Sequence, residues 1–203
     1  MQILHFFAGS PQQYAEHILD PDHDRLQHCP LCQARQPLWA HGFYCRTLVE
    51  MGWEGSIRVR RFLCRVCRRT ISLLPQFALP YLRFGVVLIW QFLCARLLQG
   101  CTLVAAAAGA GATGMPYQRG QFWVRRFRQQ AEALVAALAD RKPVAPAADF
   151  VTRALQKIQA RGAIATHRFL FHELRVHLLG WPPSLAPAGG RVSVSPALAP
   201  PGS

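Results

Sequence analysis

Two Cys-x-x-Cys pairs constrain this chain more than any other feature. Cys29-Pro30-Leu31-Cys32 and Cys64-Arg65-Val66-Cys67 stand about thirty residues apart, the spacing of a structural zinc site. Each pair makes a tight knuckle that can aim two sulfurs at one point, and zinc prefers four ligands in a tetrahedron. A loop of this size buries little apolar surface, so the metal would supply most of its folding free energy. The expected ligands are Cys29, Cys32, Cys64 and Cys67, holding one structural Zn2+. Disulfides are the competing use of these thiols. The first residues, Met1 to His5, carry no basic leader and no apolar core of signal-peptide length, which points to a reducing, cytoplasmic setting. Cys45 and the nearby His41 lie between the knuckles, and either is a weaker alternative ligand. Cys94 and Cys101 sit in apolar sequence and read as small core residues.

Charge is the second constraint. The chain has 203 residues and a formal net charge of +13, a balance that favours an anionic partner, nucleic acid or a membrane surface. Nearly every cation is Arg, a bias that a GC-rich genome also produces, so the clustering of the arginines is the better guide. Arg58, Arg60, Arg61, Arg65, Arg68 and Arg69 fall in one short acid-free stretch. Ile57 and Val59 alternate there with Arg58 and Arg60, the period of a half-buried strand.

Met1 to Phe7 reads as a strand, and Ser10-Pro11 as a helix start with Ser10 as N-cap. Asp20 to Asp24 forms an acidic connector. Leu38–Leu48 and Ser56–Leu63 read as the strands of a ribbon, with Gly52 and Gly55 in the turn. Thr70–Leu79 leads out of it. Tyr81 to Gln99 is strongly apolar, but Gln91, Arg96 and Gln99 interrupt it. A buried helix is preferred over a membrane span, which needs roughly 20 apolar residues. A short helix over Thr102–Ala108, a glycine-rich loop and a long helix from Tyr117 to Asp140 follow, the order of a helix-turn-helix. On the long helix Trp123, Phe127, Ala131, Leu134 and Leu138 share one face. Gln118, Gln121, Arg125 and Gln129 lie opposite, flanked by Arg119, Arg126 and Arg128. Arg and Gln can contact guanine and adenine, and further arginines can hold phosphates. Two more helices are expected over Asp149–Gln159 and Thr166–Leu179. His167, His172 and His177 recur every five residues, so they spread around a helix and build no metal site.

The stretch from Cys29 to about Leu98 resembles the transposase-like zinc-ribbon proteins, a bacterial family of unknown function. The matching residues are Cys29-Pro30-x-Cys32, His41-Gly42-Phe43-Tyr44, Ile57 to Phe62, Cys64-x-x-Cys67-x-Arg69-Thr70, Ser72 to Pro75 and Pro80-Tyr81. The resemblance implies DNA binding and an origin in mobile elements. It does not imply transposition. A cutting-and-joining transposase needs three carboxylates on a mixed sheet. The chain has only ten acids, and none is expected on a strand of a mixed α/β region.

The expected fold is therefore α+β: a small N-terminal four-cysteine zinc ribbon followed by an all-α helix-turn-helix-like region. Its parts are a strand, helix and ribbon over 1–79, a helical domain over 80–141, helices over 147–180 and a disordered tail over 181–203. The expected function is non-catalytic DNA binding, with no small-molecule substrate and with a homodimer as one option. The DNA-contacting candidates are Arg58, Arg60, Arg61, Arg68, Arg69, Gln118, Arg119, Gln121, Arg125, Arg126 and Arg128. The rival readings are a zinc-ribbon adaptor for protein partners and a membrane-associated protein anchored by residues 81–99.

Overall fold

The computed structural model of the chain describes residues 1–17, 25–139 and 149–180. The acidic connector, the Lys142–Pro146 linker and the tail from 181 lie outside them. The described chain runs β1 (Gln2–His5), α1 (Pro11–Glu16), β2 (Trp39–Glu50), β3 (Trp53–Leu63), β4 (Thr70–Pro75), α2 (Val86–Leu97), α3 (Leu103–Gly109), α4 (Tyr117–Ala137), α5 (Phe150–Arg161) and α6 (Ala163–Leu174).

The strands form one sheet in the order β1-β4-β3-β2. β2, β3 and β4 make an antiparallel meander, and β1 joins β4 in parallel with Leu4 opposite Leu74. This corrects the expected fold. The molecule is mixed α/β, with a four-stranded sheet in the N-terminal half and helices around it, not a small ribbon followed by an all-α part. The reason lies in Thr70–Pro75, expected only to lead away from the ribbon. It is an inner strand of the sheet. Leu74 packs into one apolar cluster with Leu4, Tyr14, Ile57, Val59 and Phe77. Ile71 and Leu73 pack into another with Leu38, Phe62, Cys29 and Cys64. A strand covered on both faces reads as a continuous apolar run without alternation. The carboxylate expectation is also corrected: Glu50 closes β2 and Glu54 lies in β3, both strands of a mixed sheet.

α1 starts as read. Ser10 caps it, and Gln13 returns the bond to the Ser10 backbone, a capping box. The β2–β3 turn holds Gly52 at φ 71°, but Gly55 belongs to β3, opposite Leu48. α2 is shorter than the apolar run that predicts it, starting at Val86. No described helix is long and apolar enough to cross a membrane.

α2 is tied to the sheet by its first turn. Its N-cap is Gly85, which has no side chain to offer. Glu50 serves instead: Oε1 accepts from Leu88 N at 2.7 Å, and Oε2 from Val87 N at 3.3 Å. Val49 adds two backbone bonds, donating to Arg83 O and accepting from Gly85 N. These bonds join the segments 1–79 and 80–141. The largest core cluster spans Val49, Leu79 and helices α2 to α6, with Trp123 fully buried and its ring edge-on to Phe84 and Phe92.

The helix-turn-helix expectation falls with the all-α part. α3 and α4 exist, and Thr102 caps α3 through Ala105 N. The connection between them spans residues 110–116, well beyond the 3–4-residue turn of that motif. Glycines at 111 and 114 take positive φ and lengthen it. The apolar face of α4 is as read, with Trp123, Phe127, Ala131 and Leu134 buried. α6 ends early, at Leu174, where Arg175 takes a left-handed conformation, so His177 lies beyond the helix.

Candidate metal centre and cationic edge

The first knuckle precedes β2 and the second links β3 to β4. Both close alike. Cys29 N donates to Ala34 O at 3.1 Å, and Cys64 N donates to Arg69 O at 3.0 Å. The residue after each second cysteine is left-handed: Gln33 at φ 60° and Arg68 at φ 54°. Neither is glycine, so each costs about 1–3 kcal/mol and persists only where its surroundings over-determine it.

The two knuckles bring four sulfurs together. The Sγ atoms of Cys29, Cys32, Cys64 and Cys67 all lie within 4.8 Å of one another. Cys29 and Cys67 are 3.8 Å apart, and Cys32 and Cys64 3.7 Å. All four are free thiols. A tetrahedral zinc with Zn–S of about 2.3 Å separates its sulfurs by about 3.8 Å, so the site has the dimensions of such an ion's shell. The group can hold a metal ion. Cys29 and Cys64 are fully buried, and Cys32 is exposed. Backbone N–H groups of the second knuckle, Cys67 first, hold the Cys64 thiol down at about 7. Burial pushes the Cys67 thiol up to about 11. Of these two, Cys64 gives up its proton more readily. His41 and Cys45 are exposed on β2 and stand outside the cluster.

The arginines beside this site separate into groups. Arg58, Arg65, Arg68 and Arg69 are exposed and Arg61 half-buried. None of them meets an acid among the described residues. Arg60 departs from the alternation that predicts it outside. It is 5 % exposed, with its guanidinium against the rings of Phe43 and Phe62 at 4.7 and 5.4 Å. Aromatic faces offset part of the cost of burying that charge, and they remove Arg60 from any surface contact. On α4, Gln118, Arg119, Gln121, Arg125 and Arg128 are exposed. Arg126 is partly buried and donates from Nε to Leu179 O at 3.0 Å, a bond that docks the chain after α6.

Two further features bear on this edge. Between Glu54 and Glu132 there is no acid at all, while twelve arginines fall in that interval. Glu54 itself is paired with Arg83 at 2.7 Å. Arginines also stack on aromatics of the neighbouring strand: Arg65 over Trp39 at 3.7 Å and Arg58 over Phe43 at 4.3 Å. Cross-strand register, which brings Phe43 opposite Arg60 and Cys45 opposite Arg58, is what creates such contacts, and register is invisible before the strands are paired.

Similarity to known proteins converges on the same stretch. A family model described as a domain of unknown function, DUF6431, matches residues 29–107. The DUF6431 match takes in both knuckles, β2 to β4, α2 and most of α3. No curated protein and no solved structure matches the chain.

Proposed function

We propose that this is a non-catalytic DNA-binding protein whose four cysteines hold a structural Zn2+. In this reading the ion fixes the two knuckles, and the knuckles present Arg58, Arg61, Arg65, Arg68 and Arg69 to phosphates. The exposed Arg119, Arg125 and Arg128 of α4 add a second cationic stripe, and Gln118 and Gln121 lie beside it. The observation that carries the reading is the run of exposed, acid-free arginines around the thiol cluster, because like charges held together repel unless an anion joins them. Absence of catalysis is part of the proposal. Glu50 is engaged in capping α2 and Glu54 in its pair with Arg83, and among the described residues no three of His, Asp or Glu gather around a point. Descent from a mobile-element protein is proposed with it, on the resemblance of Cys29–Leu98.

A mixed-sequence duplex titrated against metal-loaded protein at several salt concentrations tests this. The expected result is a log–log slope of about −0.9 per phosphate neutralised, and roughly −4 if four of the exposed arginines engage. Absent binding, or binding insensitive to salt, overturns it. One observation favours a different reading. The knuckle tips Leu31 and Val66 are 45 % and 61 % exposed, apolar points that suit an adaptor for a protein partner. An adaptor of that kind gives no shift with DNA.

A further inference from the structure

The geometry points to single-stranded nucleic acid as the ligand of the β2–β3 hairpin, with a base stacking at Trp39. This inference rests on the nucleic-acid reading above and narrows it. Trp39 is 52 % exposed and belongs to none of the apolar clusters of the core. An indole left half in water contributes little to folding. Instead it carries the Arg65 guanidinium on its face, 3.7 Å from the ring centre. Phe43 is half-buried against an apolar cluster and already carries two guanidinium groups, Arg58 at 4.3 Å and Arg60 at 4.7 Å. Of the two rings, Trp39 is the one whose only stacked arginine lies at the surface, since Arg60 on Phe43 is buried.

Between them β2 bulges, at Ala40 to Phe43, and Gly42 takes φ 77° with open space where a Cβ would stand. The bulge leaves Trp39 opposite Leu63 and Phe43 opposite Arg60, so the two rings leave the hairpin on opposite faces and Trp39 alone offers a plane.

Duplex DNA hides its base faces and asks only for cations at the phosphates. Exposed aromatic and guanidinium planes are rewarded when base faces are free to stack on them. The charges complement a single strand as well. Arg58, Arg61, Arg68 and Arg69 lie in the same short stretch as the Arg65 that stacks on Trp39, and no acid follows Glu54 before Glu132. DNA and RNA strands share the chemistry of base face and phosphate, and the site uses only that.

The test uses the full, metal-loaded chain and labelled oligomers of about 20 nucleotides, long enough to span the site. Single-stranded DNA, single-stranded RNA and duplex DNA are compared by fluorescence anisotropy at one salt concentration. The expected result is tighter binding of a single strand than of the duplex. The tighter of the DNA and RNA arms identifies the natural strand. Trp39→Ala is expected to weaken single-strand binding by about fivefold to a hundredfold while moving duplex binding less than about twofold. Trp39→Phe should restore part of the loss. Far-ultraviolet circular dichroism and metal content confirm that the variants fold. Duplex binding as tight as single-strand binding, or an equal loss for both ligands in Trp39→Ala, overturns the inference and leaves the DNA-binding reading standing. If neither ligand binds, both fall.

Discussion

His167 and His177 are packed where a charge finds no water. His167 is fully buried in α6, with its ring beside Phe171. Burial, then the nearby His177 and weakly His172, pull its pKa down to about 3, and only the Ala78 backbone works the other way. His177 is drawn down to about 4 by burial and by Arg126. In the unfolded chain both titrate near 6.5. The fold therefore binds fewer protons than the unfolded chain at acid pH. The resulting stability is complete above about pH 6.5 and is lost as pH falls toward the folded values. From pH 7 to pH 4.5 the loss attached to His167 alone is roughly 2–3 kcal/mol. Thermal unfolding across that range is expected to fall more steeply for the native chain than for His167→Leu. Parallel slopes would show that His167 takes up its proton without leaving the fold. The sequence shows three histidines at intervals of five. It cannot show that two of them are buried neutral, because burial depends on how α6 packs against the sheet and α2.

At the scale of elements, the joint between β2 and α2 decides how sheet and helices form one body. Glu50 caps a helix whose own N-cap is a glycine, and its carboxylate fills the space that a Cβ on Gly85 would occupy. The two positions are one device. Gly85→Ala is expected to destabilise the protein by about 1–3 kcal/mol. Glu50→Ala should do so by a similar amount, through the Met51, Val87 and Leu88 amides left without their acceptor. The double variant should cost clearly less than the sum, because each change already spoils the same contact. Strict additivity in chemical denaturation would contradict the joint. Elements with local signals were legible: the Ser10 cap, the Pro11 start, the period of α4 and the alternation of Ile57 and Val59. Those that depend on distant partners were not. β4 was misread because an inner strand lacks alternation. Arg60 was misplaced because Phe43 and Phe62 cover it. The Glu50 cap has no signature, since its acceptor and donors stand about 37 residues apart in sequence.

For the whole molecule, the cysteines were legible because a ligand set is written as residue type and spacing, and metal chemistry is indifferent to the fold around it. What surrounds them was not legible. The knuckles sit at one end of a four-stranded sheet and seal an apolar cluster of Leu38, Phe62, Ile71 and Leu73 with two of their own sulfurs. A metal there would hold that cluster shut, keep Gln33 and Arg68 in their left-handed conformations and fix the arginine edge. The most direct test is the metal content of natively purified protein by elemental analysis, read together with the amide spectrum before and after a strong chelator. The expected result is one zinc per chain. Its removal should collapse the signals of both knuckles and the adjoining ends of β2, β3 and β4, with loss of DNA binding. A metal-free preparation whose spectrum does not change in chelator would contradict the four-thiolate centre and the surface built on it.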